Sequence, residues 1–221
     1  MGVLGSLRLP PLSIVPFRFS AVASMFMFFK LAVLGHSYVR DLASLGECEI
    51  FVSGIKFCLN YFPIPGATFS TFNSNPVHFE NLKIYKPDYI LVILGGNDLK
   101  TDVELSQIYE DCSVFYKNLR EICPDSIIIA SQIENRFYES NNRFNSPPAK
   151  TFDYLRRYFN RFLKNLPFKD FVLQVQGPNR LDKKENYRDS VHLSHVGLRK
   201  YFAFIRTTLS YAYESKKIKT V

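Results

Sequence analysis

The sequence predicts an α/β fold in which helices cover both faces of a parallel sheet. Four short apolar runs rich in β-branched residues have the length of strands, at 30–35, 88–96, 126–133 and 170–175. A weaker fifth run lies between the first two, at 48–54. Near-continuous apolar strands are typical of a sheet buried on both faces. Helical patterns separate these runs, and such alternation favours parallel strands. The 221 residues, 47% of them hydrophobic, suit one domain with a full-sized core.

Helical periodicity appears in four segments, at 37–46, 101–124, 151–167 and 194–214. The first ends at a glycine, as helices often do. The second opens with Thr101-x-x-Glu104, a capping box, and stops before a proline.

The third helical segment has one clean apolar face, at positions 152, 155, 159, 162 and 166. Four basic residues are expected off that face: Arg156, Arg157, Arg161 and Lys164. The preceding stretch 134–150 is polar, rich in asparagine and broken by prolines, and we interpret it as a long loop at the rim of the sheet.

The net charge of +8 favours anionic partners, but the excess is spread along the chain, which is typical of a solvated surface. The stretches "RRYFNRFLK" and "ESKKIKTV" are the locally basic ones.

Four cysteines, Cys48, Cys58, Cys112 and Cys123, form neither a CxxC motif nor a cluster with zinc-ligand spacing. They are predicted to be free, mostly buried thiols in a reducing compartment, which favours the cytoplasm over secretion.

The first 29 residues contain arginines followed by a short apolar run, a pattern similar to a secretory signal. The run continues through Lys30 into the first strand without a convincing cleavage site, and it is too short to span a bilayer. We therefore predict a leader at 1–29 that is disordered or not native, a folded domain at 30–213, and a basic tail at 214–221.

Polar and glycine residues follow the first three strands, where an open parallel sheet binds its ligands. They are Ser37, Gly66 in "PIPGATF" and Asn97 in "GGND", while Asp189 and His192 precede the last helix. Each has an ordinary structural interpretation: a helix cap for the serine, turns for the glycine and asparagine, a loop carboxylate, and a buried core histidine. Together they form the set that acyl transfer requires.

A serine hydroxyl attacks an acyl carbon only when a base takes its proton. His192 is the candidate base, and Asp189, three residues earlier, is the candidate carboxylate that fixes its tautomer. The negative oxygen that forms needs donors, and the candidates are the backbone N–H groups of Ser37 and Gly66 and the side-chain amide of Asn97.

The order of these motifs resembles the SGNH (GDSL-like) hydrolase family: Gly35-His36-Ser37, Gly66, Gly95-Gly96-Asn97-Asp98 and Asp189-Ser190-Val191-His192. The match covers about residues 30–213. The resemblance implies a three-layer, flavodoxin-like fold with a central parallel sheet of about five strands. It also implies a Ser-His-Asp triad, a three-donor oxyanion hole, and hydrolysis of esters of small molecules without a cofactor or metal. Family members include carbohydrate acetylesterases, lysophospholipases and thioesterases. The form "GHSYVRDL" is similar to esterase-like domains carried by some animal retrotransposons.

One residue departs from the family pattern, because the family often has aspartate where this chain has His36. The rival α/β-hydrolase pattern, G-x-S-x-G, fails because Val39 stands in place of its second glycine. A rival base, His195, lies outside the D-x-x-H spacing, on the last predicted helix.

Three functions fit the sequence. The first is a serine esterase that acts on small or medium acyl esters. The second is a catalytically weak or inactive binding module of a mobile element that contacts nucleic acid, suggested by the +8 charge and the "RRYFNRF" helix. The third is a secreted or membrane-surface lipid esterase, suggested by the apolar N-terminal run. No motif specifies the acyl chain, the alcohol or the oligomeric state.

Overall fold

The computed structural model describes residues 27–100, 102–137, 148–174, 181 and 183–219. Within them the chain forms the strands β1 (Phe28–Gly35), β2 (Glu49–Val52), β3 (Ile55–Pro63), β4 (Tyr89–Ile93), β5 (Ile127–Ser131) and β6 (Phe171–Leu173). The helices are α1 (Ser37–Ala43), α2 (Phe69–Asn73), α3 (Pro76–Tyr85), α4 (Leu105–Ile122), α5 (Ala149–Asn165) and α6 (His195–Lys219). A short 3₁₀ helix, Lys184–Asn186, lies between β6 and α6.

The strands form one sheet in the order β2-β3-β1-β4-β5-β6. Every pairing is parallel except that of β2 with β3. The five parallel strands follow the flavodoxin-like order, in which the chain starts inside the sheet and proceeds in both directions. The predicted three-layer fold is thus confirmed. Because the strand order reverses between β1 and β4, the loops after these two strands diverge and leave a crevice at their carboxyl ends.

Two apolar cores lie on opposite faces of the sheet. Alternate residues of each central strand point to opposite faces, so Leu31 and Val33 of β1 enter one core while Ala32 and Leu34 enter the other. Helices α1 and α6 cover the first core, and α2 to α5 cover the second. This two-sided burial explains why β4 and β5 are apolar at nearly every position.

The prediction for the second parallel strand was wrong. The run at 48–54 contains β2, which is an antiparallel edge strand, and the parallel strand that precedes the Gly66 turn is β3. Ser53 and Gly54 both have positive φ angles (51° and 78°) and form a tight turn between β2 and β3. β3 is only half-buried and mixes polar with apolar residues, so it lacks the continuous apolar run of the central strands.

One detail of the predicted helices also needs correction. Helix α4 begins at Leu105, and Glu104 is its N-cap residue with an extended backbone, so Glu104 does not hold the predicted N3 position of a capping box. Thr101 lies outside the described residues. In α5, Arg156 lies off the apolar face, yet its side chain is buried and its guanidinium donates to the backbone carbonyl of Ile133.

The four cysteines are free, and Cys112 and Cys123 are buried. The predicted leader lies outside the described residues except at its end, where β1 begins. At the other end of the chain, α6 continues through most of the predicted basic tail. In the part of the chain that the structure describes, no helix combines the length and apolarity that a bilayer crossing requires.

Candidate active site

The serine lies at the sharp turn between β1 and α1. Gly35, the last residue of β1, approaches β4 so closely that a Cβ atom there would lie 2.1 Å from the carbonyl oxygen of Ile93. The next residue continues this contact, because the backbone N–H of His36 donates to the same oxygen. Only glycine permits this approach, and it places Ser37 at the carboxyl edge of the sheet.

Ser37 is not the cap of α1. His36 is the N-cap residue, and its Nδ1 accepts a hydrogen bond from the backbone N–H of Tyr38 at 3.4 Å. The hydroxyl of Ser37 is directed elsewhere: its Oγ lies 3.2 Å from Nε2 of His192. His36 therefore caps the helix, and the Ser37 hydroxyl contacts His192.

His192 and Asp189 lie beside Ser37 in the structure. Nδ1 of His192 lies 2.9 Å from Oδ2 of Asp189, on the opposite side of the ring from Ser37. The histidine is partly exposed and the carboxylate is half-exposed. The three side chains thus form a continuous hydrogen-bonded row.

The Asp189 carboxylate also builds the turn that presents the histidine. Its Oδ1 accepts from the backbone N–H groups of Val191 (2.7 Å) and His192 (2.6 Å), which leaves Oδ2 for the imidazole. Burial opposes the charged form, but these hydrogen bonds outweigh it and lower the pKa of Asp189. The carboxylate is therefore ionised at neutral pH.

Contacts from α1 anchor this turn next to Ser37. The Tyr38 hydroxyl donates to the carbonyl of Val191 at 2.5 Å, and Arg188 forms an ion pair with the buried Asp41 at 3.0 Å. The same helix that carries Ser37 therefore also fixes the position of the histidine turn.

The predicted oxyanion-hole residues Asn97 and Gly66 lie on adjoining loops. The Asn97 Nδ2 donates to the carbonyl of Ala67, the residue after Gly66, at 3.1 Å. Gly66 has a positive φ of 76° in the turn between β3 and α2. That turn is tied to the serine strand, because the N–H of Ile64 donates to the carbonyl of Gly35 at 2.8 Å.

Asp98, the last residue of "GGND", stabilises the loops at the carboxyl edge of the sheet. Its Oδ1 accepts from the backbone N–H of Phe69 at 2.9 Å, which fixes the start of α2 behind the Gly66 turn. Burial raises the pKa of this carboxyl to about 7.

Two buried ionisable residues beside these loops were not predicted from the sequence. Arg136 donates from Nη2 to Oδ1 of Asn97 at 3.0 Å, and its guanidinium lies over the ring of Phe152 at 5.3 Å. Glu134 is buried nearby, and burial raises its pKa to about 7. Both belong to the stretch after β5, which carries no recognisable motif, so no signal in the sequence singled them out.

The environment of His36 keeps its imidazole neutral. Burial lowers the pKa of His36 to about 3, and the positive charge of Arg136 and the neighbouring His192 act in the same direction. A neutral ring is consistent with Nδ1 serving as the acceptor for the helix cap.

The remaining candidates do not join the site. His195, the rival base, is exposed at the start of α6, where its Nε2 accepts from Nε of Arg199. Among the described residues, no group of three or more His, Cys, Asp or Glu side chains is arranged to hold a metal ion.

Comparison with solved structures identifies the fold. A lipase/acylhydrolase from Enterococcus faecalis superimposes with a TM-score of 0.56 and 17% identity, over 83% of this chain and 96% of the other. A carbohydrate esterase family 3 protein from Talaromyces cellulolyticus gives 0.57 and 14%, over 87% and 99%. A GDSL-like lipase from Bacteroides thetaiotaomicron gives 0.57 and 15%, over 83% and 88%. This chain has the SGNH hydrolase fold. No family model and no curated protein matches the sequence.

Within the SGNH fold, His36 stands where the resemblance leads us to expect aspartate. An aspartate before a helix accepts backbone N–H bonds through a carboxylate oxygen. Here Nδ1 of a neutral imidazole accepts the corresponding bond from Tyr38. The substitution keeps the cap and removes a negative charge beside the serine.

We expect His36 to make the stability of the protein fall in acid. The unfolded chain binds a proton at this histidine below about pH 6.5, whereas the folded protein does not until about pH 3. Between these values the free energy of unfolding should drop by about 1.4 kcal/mol for each unit by which the pH is lowered. In the variant His36→Asn, whose amide oxygen can still cap the helix, this contribution disappears. Urea unfolding of both proteins from pH 6 to pH 4 measures the difference in slope, and parallel curves would contradict a buried neutral histidine.

Proposed function

We propose that this protein is a serine esterase that cleaves small or medium acyl esters through Ser37, His192 and Asp189. The observation that carries the proposal is the row of two hydrogen bonds, 3.2 Å from Ser37 Oγ to His192 Nε2 and 2.9 Å from His192 Nδ1 to Asp189 Oδ2. The esterases and acylhydrolases that share the fold support the same reaction class.

The first step is the attack of Ser37 Oγ on the acyl carbon of the ester. His192 accepts the serine proton at Nε2. Asp189 accepts from Nδ1–H, which fixes the tautomer that leaves Nε2 free to act as a base. The ionised carboxylate then stabilises the imidazolium that forms.

The attack places a negative charge on the former carbonyl oxygen. We assign its stabilisation to the backbone N–H groups of Ser37 and Gly66 and to one N–H of the Asn97 amide. The other Asn97 N–H is engaged by Ala67, which holds the amide plane in place. One such donor typically contributes about 3 kcal/mol to lowering the barrier.

Collapse of this intermediate breaks the ester bond, and His192 gives its proton to the departing alcohol. A water molecule, activated by the same histidine, then attacks the acyl group on Ser37. The second collapse restores the serine hydroxyl and releases the carboxylic acid. The same residues therefore serve both half-reactions.

Hydrolysis of 4-nitrophenyl acetate tests this proposal. Ser37→Ala should lower kcat/KM by about 10⁴-fold or more, because the attacking oxygen is lost. Asp189→Asn should lower kcat strongly with little change in KM, because it disturbs the tautomer and not the binding of the ester. Ser44→Ala, the same change at the other end of α1, is the matched control and should leave activity within about threefold. Retained turnover in a folded Ser37→Ala protein would refute the proposal.

A second candidate function, binding of single-stranded nucleic acid, is favoured by the outer face of α5. Tyr154 and Tyr158 are exposed, with ring centroids 4.5 Å apart, and the guanidinium of Arg161 lies over the Tyr158 ring at 5.7 Å. Lys150, Arg157 and Lys164 lie on the same exposed side, although Arg157 is paired with Asp153. Exposed rings interleaved with cations suit a strand whose bases stack while its phosphates are neutralised.

Fluorescence anisotropy with a labelled oligothymidine measures this second function. We expect binding at low salt, with the logarithm of the affinity falling by about 2 for each tenfold rise in salt if about three phosphates are neutralised. Tyr158→Ala should weaken binding at least about fivefold through lost stacking. Tyr211→Ala, which removes an even more exposed tyrosine from α6, should not. No binding at about 25 mM salt, where the attraction between basic side chains and phosphates is strong, would eliminate nucleic-acid binding as the second function.

A further inference from the structure

We propose that Arg136 is a positioning residue of the oxyanion hole, which orients and polarises the Asn97 amide. This inference rests on the proposed function and extends it to a residue that takes no part in the hydrogen-bonded row of Ser37, His192 and Asp189. Its basis is the contact between the buried guanidinium of Arg136 and the Asn97 amide, which also holds the loop of the Gly66 turn through Ala67.

The contact itself is well defined. Arg136 is 7% exposed, and its Nη2 lies 3.0 Å from Oδ1 of Asn97. The guanidinium lies over the Phe152 ring on one side. It also packs against Gly96, where an added Cβ would lie 2.5 Å from Nη2. The second glycine of "GGND" therefore makes room for this arginine.

Two neighbours enforce a single orientation of the Asn97 amide. An arginine only donates hydrogen bonds, so the oxygen of the amide must face Arg136. The carbonyl of Ala67 only accepts, so the nitrogen must face the Gly66 turn. A flipped amide would set donor against donor and acceptor against acceptor. The second N–H of Asn97 is thereby fixed in direction before any substrate arrives.

The charge of Arg136 also strengthens the amide as a donor. A hydrogen bond from a cation to Oδ1 draws electron density from the amide, which makes its N–H groups more acidic. The same positive charge acts on the site through space, as its effect on His36 indicates. Both effects favour the anionic tetrahedral intermediate over the neutral ester, so they act on kcat more than on KM.

The segment that carries Arg136, residues 132–137, is itself held on both sides. The Asn160 side chain of α5 both donates to and accepts from the backbone of Ile133, at 3.0 Å and 2.8 Å. One residue beyond Arg136, the N–H of Phe137 donates to the carbonyl of Ser190 at 2.8 Å, inside the histidine turn. This segment therefore joins the Asn97 side of the site to the His192 side.

A double-mutant cycle tests the inference with 4-nitrophenyl acetate as substrate. Arg136→Met keeps an unbranched side chain against Phe152 and removes the donor and the charge. It should lower kcat about 10- to 100-fold and change KM less than about threefold. The expected loss in kcat is a large part of the loss caused by removing one oxyanion donor. In the Asn97→Ala background the same change should cost less than about twofold, because the group that Arg136 positions is gone.

The control is Arg120→Met. Arg120 also binds backbone carbonyls, those of Pro124, Ser126 and Phe168, but it lies at the amino ends of β5 and β6, away from the site. It should destabilise the protein without changing kcat. If Arg136→Met does not fold, Arg136→Lys replaces it in the same cycle. The lysine side chain is shorter and has one nitrogen in place of the planar guanidinium, so it cannot keep the contacts with both Phe152 and Asn97.

The outcomes separate this inference from the proposed function. Turnover in the wild type that is lost in Ser37→Ala, together with non-additive Arg136 and Asn97 effects, supports both. The same turnover with additive effects, or with no effect of Arg136→Met on kcat, overturns the role of Arg136 alone. A wild type no faster than Ser37→Ala overturns the proposed function and this inference with it.

Discussion

The site depends on the close approach of β1 and β4 at their carboxyl ends. Gly35 lies against the carbonyl of Ile93, and the N–H of His36 donates to that oxygen, so the chain must leave β1 sharply and enter α1 within one residue. This geometry sets Ser37 over the crevice where the strand order reverses. The carbonyl of Gly35 also accepts from Ile64, which brings the Gly66 turn to the same edge. The close packing at Gly35, which requires the absence of a Cβ atom, therefore brings the loops after β1, β3 and β4 to one edge of the sheet.

The turn that carries His192 reaches Ser37 from a different part of the sequence, and its position is set by α1. Tyr38 and Asp41 hold this turn through Val191 and Arg188. Under the proposed function, this fixed placement reduces the conformational entropy that is lost on the way to the transition state. Ser37 and His192 are therefore positioned by one helix, although 155 residues separate them.

The sequence predicted those features that follow from local patterns, and it missed those that arise from long-range packing. Central strands such as β4 were recognisable because both faces are buried, whereas the half-buried β3 had no continuous apolar run. Ser37 and Asn97 stood at strand ends, where position alone marks them as candidates. Arg136 stood in a polar stretch without a motif, and its importance comes from Phe152, Gly96 and Asn97, which are distant in sequence. Periodicity likewise placed Arg156 off the apolar face of α5, but it could not show that the guanidinium reaches a backbone carbonyl and is buried there.

Labelling with a fluorophosphonate probe tests whether Ser37 is an activated nucleophile, and it requires no knowledge of the natural ester. The probe forms a covalent bond to a serine oxygen only when a base assists the attack. We expect an adduct that peptide mass spectrometry maps to Ser37 and that is absent from a folded His192→Ala variant. Folded wild-type protein that carries no adduct at Ser37, or an adduct that persists without His192, would contradict activation of Ser37 by His192.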